Sequence, residues 1–145
     1  MKTIDSFSGQ HRFLSNFWMC AVVFDNATYP SVEHAFQAAK TLDRDARKAI
    51  RNADSPAKAK RLGRAANLRS DWEEIKIGTM RELLKKKFGT EPLKSKLLKT
   101  GTAQLIEGNW WGDHFWGVCD GKGENHLGLL LMEIREELQR AKAVR

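Results

Sequence analysis

Glu33, Gln37 and Lys40 are the first residues in this sequence whose types and spacing could do chemistry. At about 100° per residue they fall within a sector roughly 60° wide on one helix. That sector lies beside the apolar stripe of Val32, Ala35, Phe36 and Ala39, at the border between core and solvent. A carboxylate on such a border can stabilise a developing cation or act as a general acid or base. A lysine beside Phe36 can be partly desolvated, which frees a nucleophilic amine. Spacing alone fits an ordinary helix surface as well.

A second group lies between Trp110 and Asn125. Asp113 and His114 offer acid and base functions, and Trp111 and Trp116 offer stacking faces. Gly117 permits close approach of backbone to a ligand. The Gly121-Lys122-Gly123 turn ahead of a helix is a candidate phosphate cradle, because backbone N–H groups and the helix dipole favour anions. It is no Walker motif, since that spacing and its Lys-Ser/Thr pair are missing. Tryptophans serve as scaffold at least as readily as they serve as platforms. A third group is Ser15 and Asn16, which interrupt the aromatic run Phe13 to Phe17 and either bind something specific or form a turn. The four histidines, His11, His34, His114 and His126, have no metal-ligand spacing, so no metal is expected. No G-x-S-x-G elbow points to a serine hydrolase.

The elements that must position these groups follow from pattern. The aromatic and β-branched stretch from Phe13 to Phe24 reads as an extended strand, followed by a turn and short return over Asp25 to Pro30. Ser31 caps a helix running to about Leu42. Arg44 to Arg51 forms a short helix, and Ser55 with Pro56 starts another that ends near Ala66. Asp71 to Glu74 resembles a capping box for a helix with Ile77, Met80, Leu84 and Phe88 on its apolar side, stopped by Gly89. Leu93 to Lys99 is a further short helix. Thr102 to Glu107 and Phe115 to Val118 read as strands, Gly121 to Asn125 as a tight turn, and Leu127 to Ala141 as a long helix. The order gives an α+β class in which helices predominate, with a small β element.

At 145 residues the chain is one domain's length, so residues 1–145 are expected to form a single compact domain. Charged residues at 30% and hydrophobic ones at 41% describe a globular chain, not a disordered one. Two cysteines, Cys20 and Cys119, cannot build a disulfide framework. The opening residues 1–6 lack a signal-peptide apolar stretch, and no apolar run reaches the roughly 20 residues of a membrane helix. A soluble cytoplasmic protein is expected, with no membrane partner. The net charge of +7 suits a phosphate-bearing ligand or nucleic acid, and suits solubility equally.

The motifs occur in a familiar order. Phe13 to Phe17 (Phe-Leu-Ser-Asn-Phe), Tyr29 to Lys40 (Tyr-Pro-Ser-Val-Glu-His-Ala-Phe-Gln-Ala-Ala-Lys), Gly63-Arg64, Arg69 to Trp72 and Trp116-Gly117 with Gly121 to Gly128 together resemble the NADAR (YbiA-like) family. The resemblance runs from about Phe7 to Leu138, and Cys119 stands where many members carry glycine. It implies a YbiA-like, mainly helical α+β domain that hydrolyses N-glycosidic bonds to ribose without a cofactor. Two substrate branches are implied: phosphorylated riboflavin-pathway intermediates, and ADP-ribosylated guanine in nucleic acid. Members of the latter branch are associated with a lysine that forms a Schiff base with the opened ribose, and Lys40 matches that lysine.

On this reading Glu33 stabilises the oxocarbenium ion, Lys40 traps C1′, and Asp113 protonates the leaving base or activates water. Trp111 or Trp116 stacks on the base, while Arg64, Lys122 and Asn125 are candidates for phosphate or ribose hydroxyls. Ser15, Asn16, Gln37 and Gly117 complete the expected substrate-binding set. The alternative is a sensor module that binds ADP-ribose or NAD without turnover, and a plain nucleic-acid binder is a third reading.

Overall fold

The computed structural model describes residues 2–144, so the ends of the expected 1–145 domain, Met1 and Arg145, lie outside the described residues. In chain order the elements are β1 (Thr3–Ile4), a 3-10 helix (Gly9–Leu14), β2 (Met19–Phe24), β3 (Ala27–Ser31), α1 (Val32–Ala39), α2 (Arg44–Arg51), α3 (Pro56–Ala65), α4 (Trp72–Lys87), α5 (Leu93–Leu98), β4 (Gln104–Leu105), β5 (Gly108–Asn109), β6 (Val118–Cys119) and α6 (His126–Val144). The class is α+β with helix dominant. The residues group into two units: 16–87, and the described residues of 1–15 with 88–145.

The first of these, residues 16–87, is built around α1. β2 and β3 form an antiparallel hairpin whose turn residues Asp25 and Asn26 both have positive φ, 48° and 66°. Two successive left-handed residues make the turn whose twist matches paired strands, and Asp and Asn tolerate it best after glycine. Ser31 ends the hairpin, and its Oγ accepts the His34 N–H to start α1. The hairpin, α2, α3 and α4 all pack on α1, so every residue from Val32 to Ala39 is buried. The expected border position of Glu33 and Gln37 is therefore corrected: both are buried. A helical wheel sees one helix's own stripe and not the elements that close over its polar side. Lys40, half-buried, is the C-cap, and the helix stops short of Leu42, which is exposed.

Asp43 and Ser55 cap α2 and α3 through side-chain oxygens. The capping box at Asp71 takes another form: its carboxylate receives Arg69 Nε at 2.6 Å and Nη2 at 3.2 Å. Arg69 also donates its backbone N–H to the Lys40 carbonyl, tying the α3–α4 connection to the end of α1.

In the other unit, β1 pairs with β4 and β5 with β6, both in parallel and two residues long. The strands expected over Thr102 to Glu107 and Phe115 to Val118 are thus shorter than their patterns. Phe13 and Leu14, expected in a strand, end the 3-10 helix. Both are buried, and a strand would send neighbouring side chains to opposite faces. α6 buries Leu127, Leu130, Leu131 and Ile134 as its apolar side. Among the described residues no helix is long and apolar enough to cross a membrane.

Candidate active site

On α1, Glu33 carries a buried carboxylate whose Oε1 accepts a hydrogen bond from Gln37 Nε2 at 3.0 Å. The backbone N–H of Glu33 donates to the Asn16 carbonyl at 3.1 Å, which fixes the first turn of the helix. Gln37 is itself held from behind. A Cβ at Gly63 of α3 would overlap the Gln37 amide and lie 2.9 Å from Gln37 Cβ, so α3 approaches α1 only because residue 63 is glycine. Gln37 Oε1 and Asn16 Oδ1 are both buried without a hydrogen-bond partner.

Lys40 Nζ sits 5.8 Å from the centroid of the Phe36 ring, and that ring packs on Trp72 at 5.0 Å. Burial pushes the Lys40 pKa below the usual lysine range, against the pull of the Glu33 carboxylate. Lys60, Arg64 and Lys76 push it the same way as burial. A lowered pKa leaves more free amine at neutral pH, which is what a nucleophilic lysine requires. The structure thus brings Asn16, Glu33, Gln37, Lys40 and Arg64 into one neighbourhood within the unit of residues 16–87. His34, on the same helix, is different: its ring nitrogens meet Ser31 Oγ at 2.6 Å and the Ala53 carbonyl at 3.0 Å, so it is a satisfied core residue.

The remaining expected residues lie in the other unit, several with structural work. Asp113 Oδ1 accepts the backbone N–H groups of Phe115 and Trp116 at 3.1 and 2.9 Å. Asn125 accepts the Glu107 N–H through Oδ1 and donates from Nδ2 to the Leu105 carbonyl, so its amide braces the chain. Lys122 offers its carbonyl to Cys119 N–H and to His114 Nδ1, while the residue itself is exposed. Ser15 closes the 3-10 helix through its N–H to the Arg12 carbonyl. Trp111 is half exposed, edge-on to a Trp110 that is 86% exposed, whereas Trp116 packs its ring against Phe115 and His126. A Cβ at Gly117 would overlap Glu107, so that glycine is a packing requirement.

Glu107 is a residue that sequence reasoning passed over. It is buried, and its Oε2 accepts from Asn109 Nδ2 at 3.1 Å. The same Asn109 amide donates to the Asp113 carbonyl at 2.9 Å. The available signal was a glutamate closing a short strand immediately before a Gly-Asn-Trp-Trp loop. Among the described residues no group of three or more His, Cys, Asp or Glu side chains could hold a metal ion.

Comparison with known proteins bears on all of this. The NADAR domain family matches residues 5–139. The chain is 42% identical over 137 residues to N-glycosidase YbiA of Escherichia coli (strain K12), covering 92% of this chain and 85% of that one. N-glycosidase Npun_R5314 of Nostoc punctiforme is 40% identical over 132 residues, covering 86% of this chain and 84% of its own. Riboflavin biosynthesis protein VVA0006 of Vibrio vulnificus is 40% identical over 133 residues, 89% of this chain but 36% of that longer protein. The NMR structure of the E. coli protein YbiA matches with a TM-score of 0.87 at 40% identity, covering 99% of this chain and 89% of that chain. Sequence and fold agree over both units, and the chain belongs to the NADAR domain family.

Proposed function

We propose that this chain hydrolyses the C1′–N bond of a phosphorylated ribosyl or ADP-ribosyl substrate, with Glu33 stabilising the oxocarbenium ion and Lys40 forming a Schiff base. The coarse activity is that of an N-glycosidase, a hydrolase of N-glycosyl bonds, as in the relatives of near-equal length. The finer reading rests above all on the buried Glu33 carboxylate, held by Gln37 at 3.0 Å on the helix that also carries Lys40. In low-dielectric surroundings a fixed negative charge stabilises a cation far more than it would in water.

The sequence of events conserves atoms. The ring oxygen of the ribose pushes out the base, whose nitrogen keeps the bonding pair and takes up a proton. Glu33 faces the positive charge that develops across C1′ and the ring oxygen. The neutral Lys40 amine adds to C1′ and gives up both its protons, one balancing the proton taken up by the base and one taken up by the ring oxygen as the ring opens, so that a C1′ imine forms on Nζ. Water adds to that imine and expels the lysine, returning free sugar. One water is consumed overall, and one base and one ribosyl product leave. Phosphorylated riboflavin-pathway intermediates and ADP-ribosylated guanine in nucleic acid are the two substrate classes proposed. Arg64 is a proposed anion contact.

Incubation with both substrate classes, followed by mass analysis, tests the reading. Release of free base from either supports it, and binding of both without release overturns it in favour of a sensor. Borohydride added during turnover should leave the sugar moiety attached as a secondary amine on the peptide containing Lys40. Lys40→Arg keeps the charge without a usable nucleophile and should be nearly inactive. A fully active arginine variant, with no adduct in the parent, removes the Schiff base and leaves water attack beside Glu33.

A further inference from the structure

The face of α1 that carries Glu33, Gln37 and Lys40 is flanked by α3 and α4 in the unit of residues 16–87, and Lys40 at its end is half-buried. α3 packs along the Gln37 side, where Gly63 meets the Gln37 amide. α4 packs along the Phe36 side, where Trp72 meets the Phe36 ring at 5.0 Å. Helix spacing then fixes what each wall presents. On α3, Lys60 lies about 60° and Arg64 about 100° around the helix from Gly63, so both fall on one flank of the contact with Gln37. On α4, Lys76 is one turn beyond Trp72 and lies above Phe36 and the Lys40 amine.

Four cationic residues thus flank one end of α1: Lys40 at its C-cap, Lys60 and Arg64 on the α3 wall, and Lys76 on the α4 wall. Lys40, Lys60 and Lys76 are half-buried, and only Arg64 is exposed. Two acids lie among them: Glu33, held by Gln37, and Glu73, which pairs with Lys76 at 2.8 Å. All three wall cations act on the charge of Lys40, which shows that they share its neighbourhood. Like charges gathered on partly buried ground repel, and an anion placed among them relieves that repulsion.

We infer that this cationic group is an anion subsite, in which Lys60 and Arg64 of α3 and Lys76 of α4 hold a phosphate group of the substrate. The inference deepens the proposed function, because it places the charged end of the ribosyl substrate on the wall side of Lys40 and Glu33. The ligand chemistry is a phosphate monoester or a diphosphate, and the three wall cations accommodate either. Lysine contacts a phosphate as a point charge and arginine as a planar fork, so the pair on α3 supplies both modes.

Calorimetric titration with inorganic phosphate and, separately, inorganic pyrophosphate tests the subsite without any turnover. The parent should bind at least one of them, and the tighter of the two identifies monoester or diphosphate chemistry. Lys60→Gln and Lys76→Gln should each weaken that binding about ten-fold, as expected for one charge-assisted contact. Lys58→Gln is the control: it removes the same charge from the same helix at an exposed position about 200° around from Lys60, and it should leave binding unchanged. Failure of both anions to bind the parent overturns the inference. So does an equal effect in all three variants, which would show net charge alone at work. Unaltered binding in Lys60→Gln and Lys76→Gln overturns it too. Base release is read separately. An active N-glycosidase without lysine-dependent anion binding refutes only the subsite, and lysine-dependent binding without base release refutes only the proposed reaction.

Discussion

Replacing Gly63 with alanine adds one methyl group, and the structure says where it goes. The new Cβ overlaps the Gln37 amide and comes within 2.9 Å of Gln37 Cβ. The amide can swing away, but the Cβ is fixed to α1, so α1 and α3 must also move apart. Swinging the amide breaks its bond to Glu33, a hydrogen bond to a charged group worth about 1.5–3 kcal/mol. Forcing the helices apart costs about 1–3 kcal/mol more. Alanine returns up to about 1 kcal/mol through its higher helix propensity, since Gly63 is inside α3. The net loss of stability is about 1.5–6 kcal/mol, which lowers the melting temperature of a chain this size by about 5–20 °C.

Activity should fall along with stability, because Glu33 loses the group that orients it. About ten-fold in kcat is expected at a temperature where the variant is folded, with KM little changed. The same substitution made in a Gln37→Ala background isolates the cause. There the amide is already gone, so only the contact with the residual Cβ remains, and the penalty should shrink by about 1.5–3 kcal/mol. Thermal melts of the four proteins, with steady-state rates on whichever substrate is turned over, complete the cycle. A Gly63→Ala variant with parental melting temperature and rate would refute the argument. So would a penalty of the same size in both backgrounds, which would remove Gln37 from the account.

Two further outcomes follow from buried charges. Glu33→Gln should keep the fold and lose about 100-fold or more in rate, since the proposed mechanism relies on its carboxylate charge against the oxocarbenium ion; a rate within three-fold of the parent would remove Glu33 from the mechanism. Burial lowers the Lys87 pKa from 10.5 to about 8, with the Cys20 thiol opposing the change. The unfolded chain then holds the extra proton between about pH 8 and 10.5, so unfolding free energy rises with pH across that window, by up to about 3 kcal/mol. Lys87→Met should flatten that rise and stabilise the protein at pH 7, as read by urea unfolding at pH 7, 9 and 10.5; an unchanged slope would show that Lys87 is solvated.

Local signals in the sequence carried through wherever they were self-contained. Ser31, Asp43 and Ser55 supply their own caps, and the positions of α1, α2 and α3 follow. What failed depended on distant partners. Glu33 and Gln37 looked half-exposed because nothing in residues 31–42 announces that a hairpin and three helices will surround them. Asp113 and Asn125 also hold structural positions that the sequence does not announce. In the fold, irregular backbone needs hydrogen-bond partners, and these two side chains supply them to Phe115, Trp116, Glu107 and Leu105. Lys60 and Lys76 carry no joint signal in the sequence because they sit on separate helices, α3 and α4, that both pack on α1.

The contrast between His34 and Gln37, three residues apart on the same buried helix, shows how function is written into an otherwise well-satisfied core. His34 is completely enclosed, and both its ring nitrogens have partners. Gln37 is almost as buried, yet its oxygen has none. Leaving a buried acceptor unmet costs about 1–3 kcal/mol, and such atoms are rare in folded proteins. The amide could be turned to exchange its oxygen and nitrogen, but its oxygen would then face the Glu33 carboxylate, and two acceptors in contact repel unless a proton lies between them. The orphaned oxygen against Gly63 is therefore the consequence of presenting the NH2 group to Glu33. A buried carboxylate that accepts from Gln37 and lies within reach of a lysine's field is the arrangement that the role proposed for Glu33, stabilising a carbohydrate cation, requires.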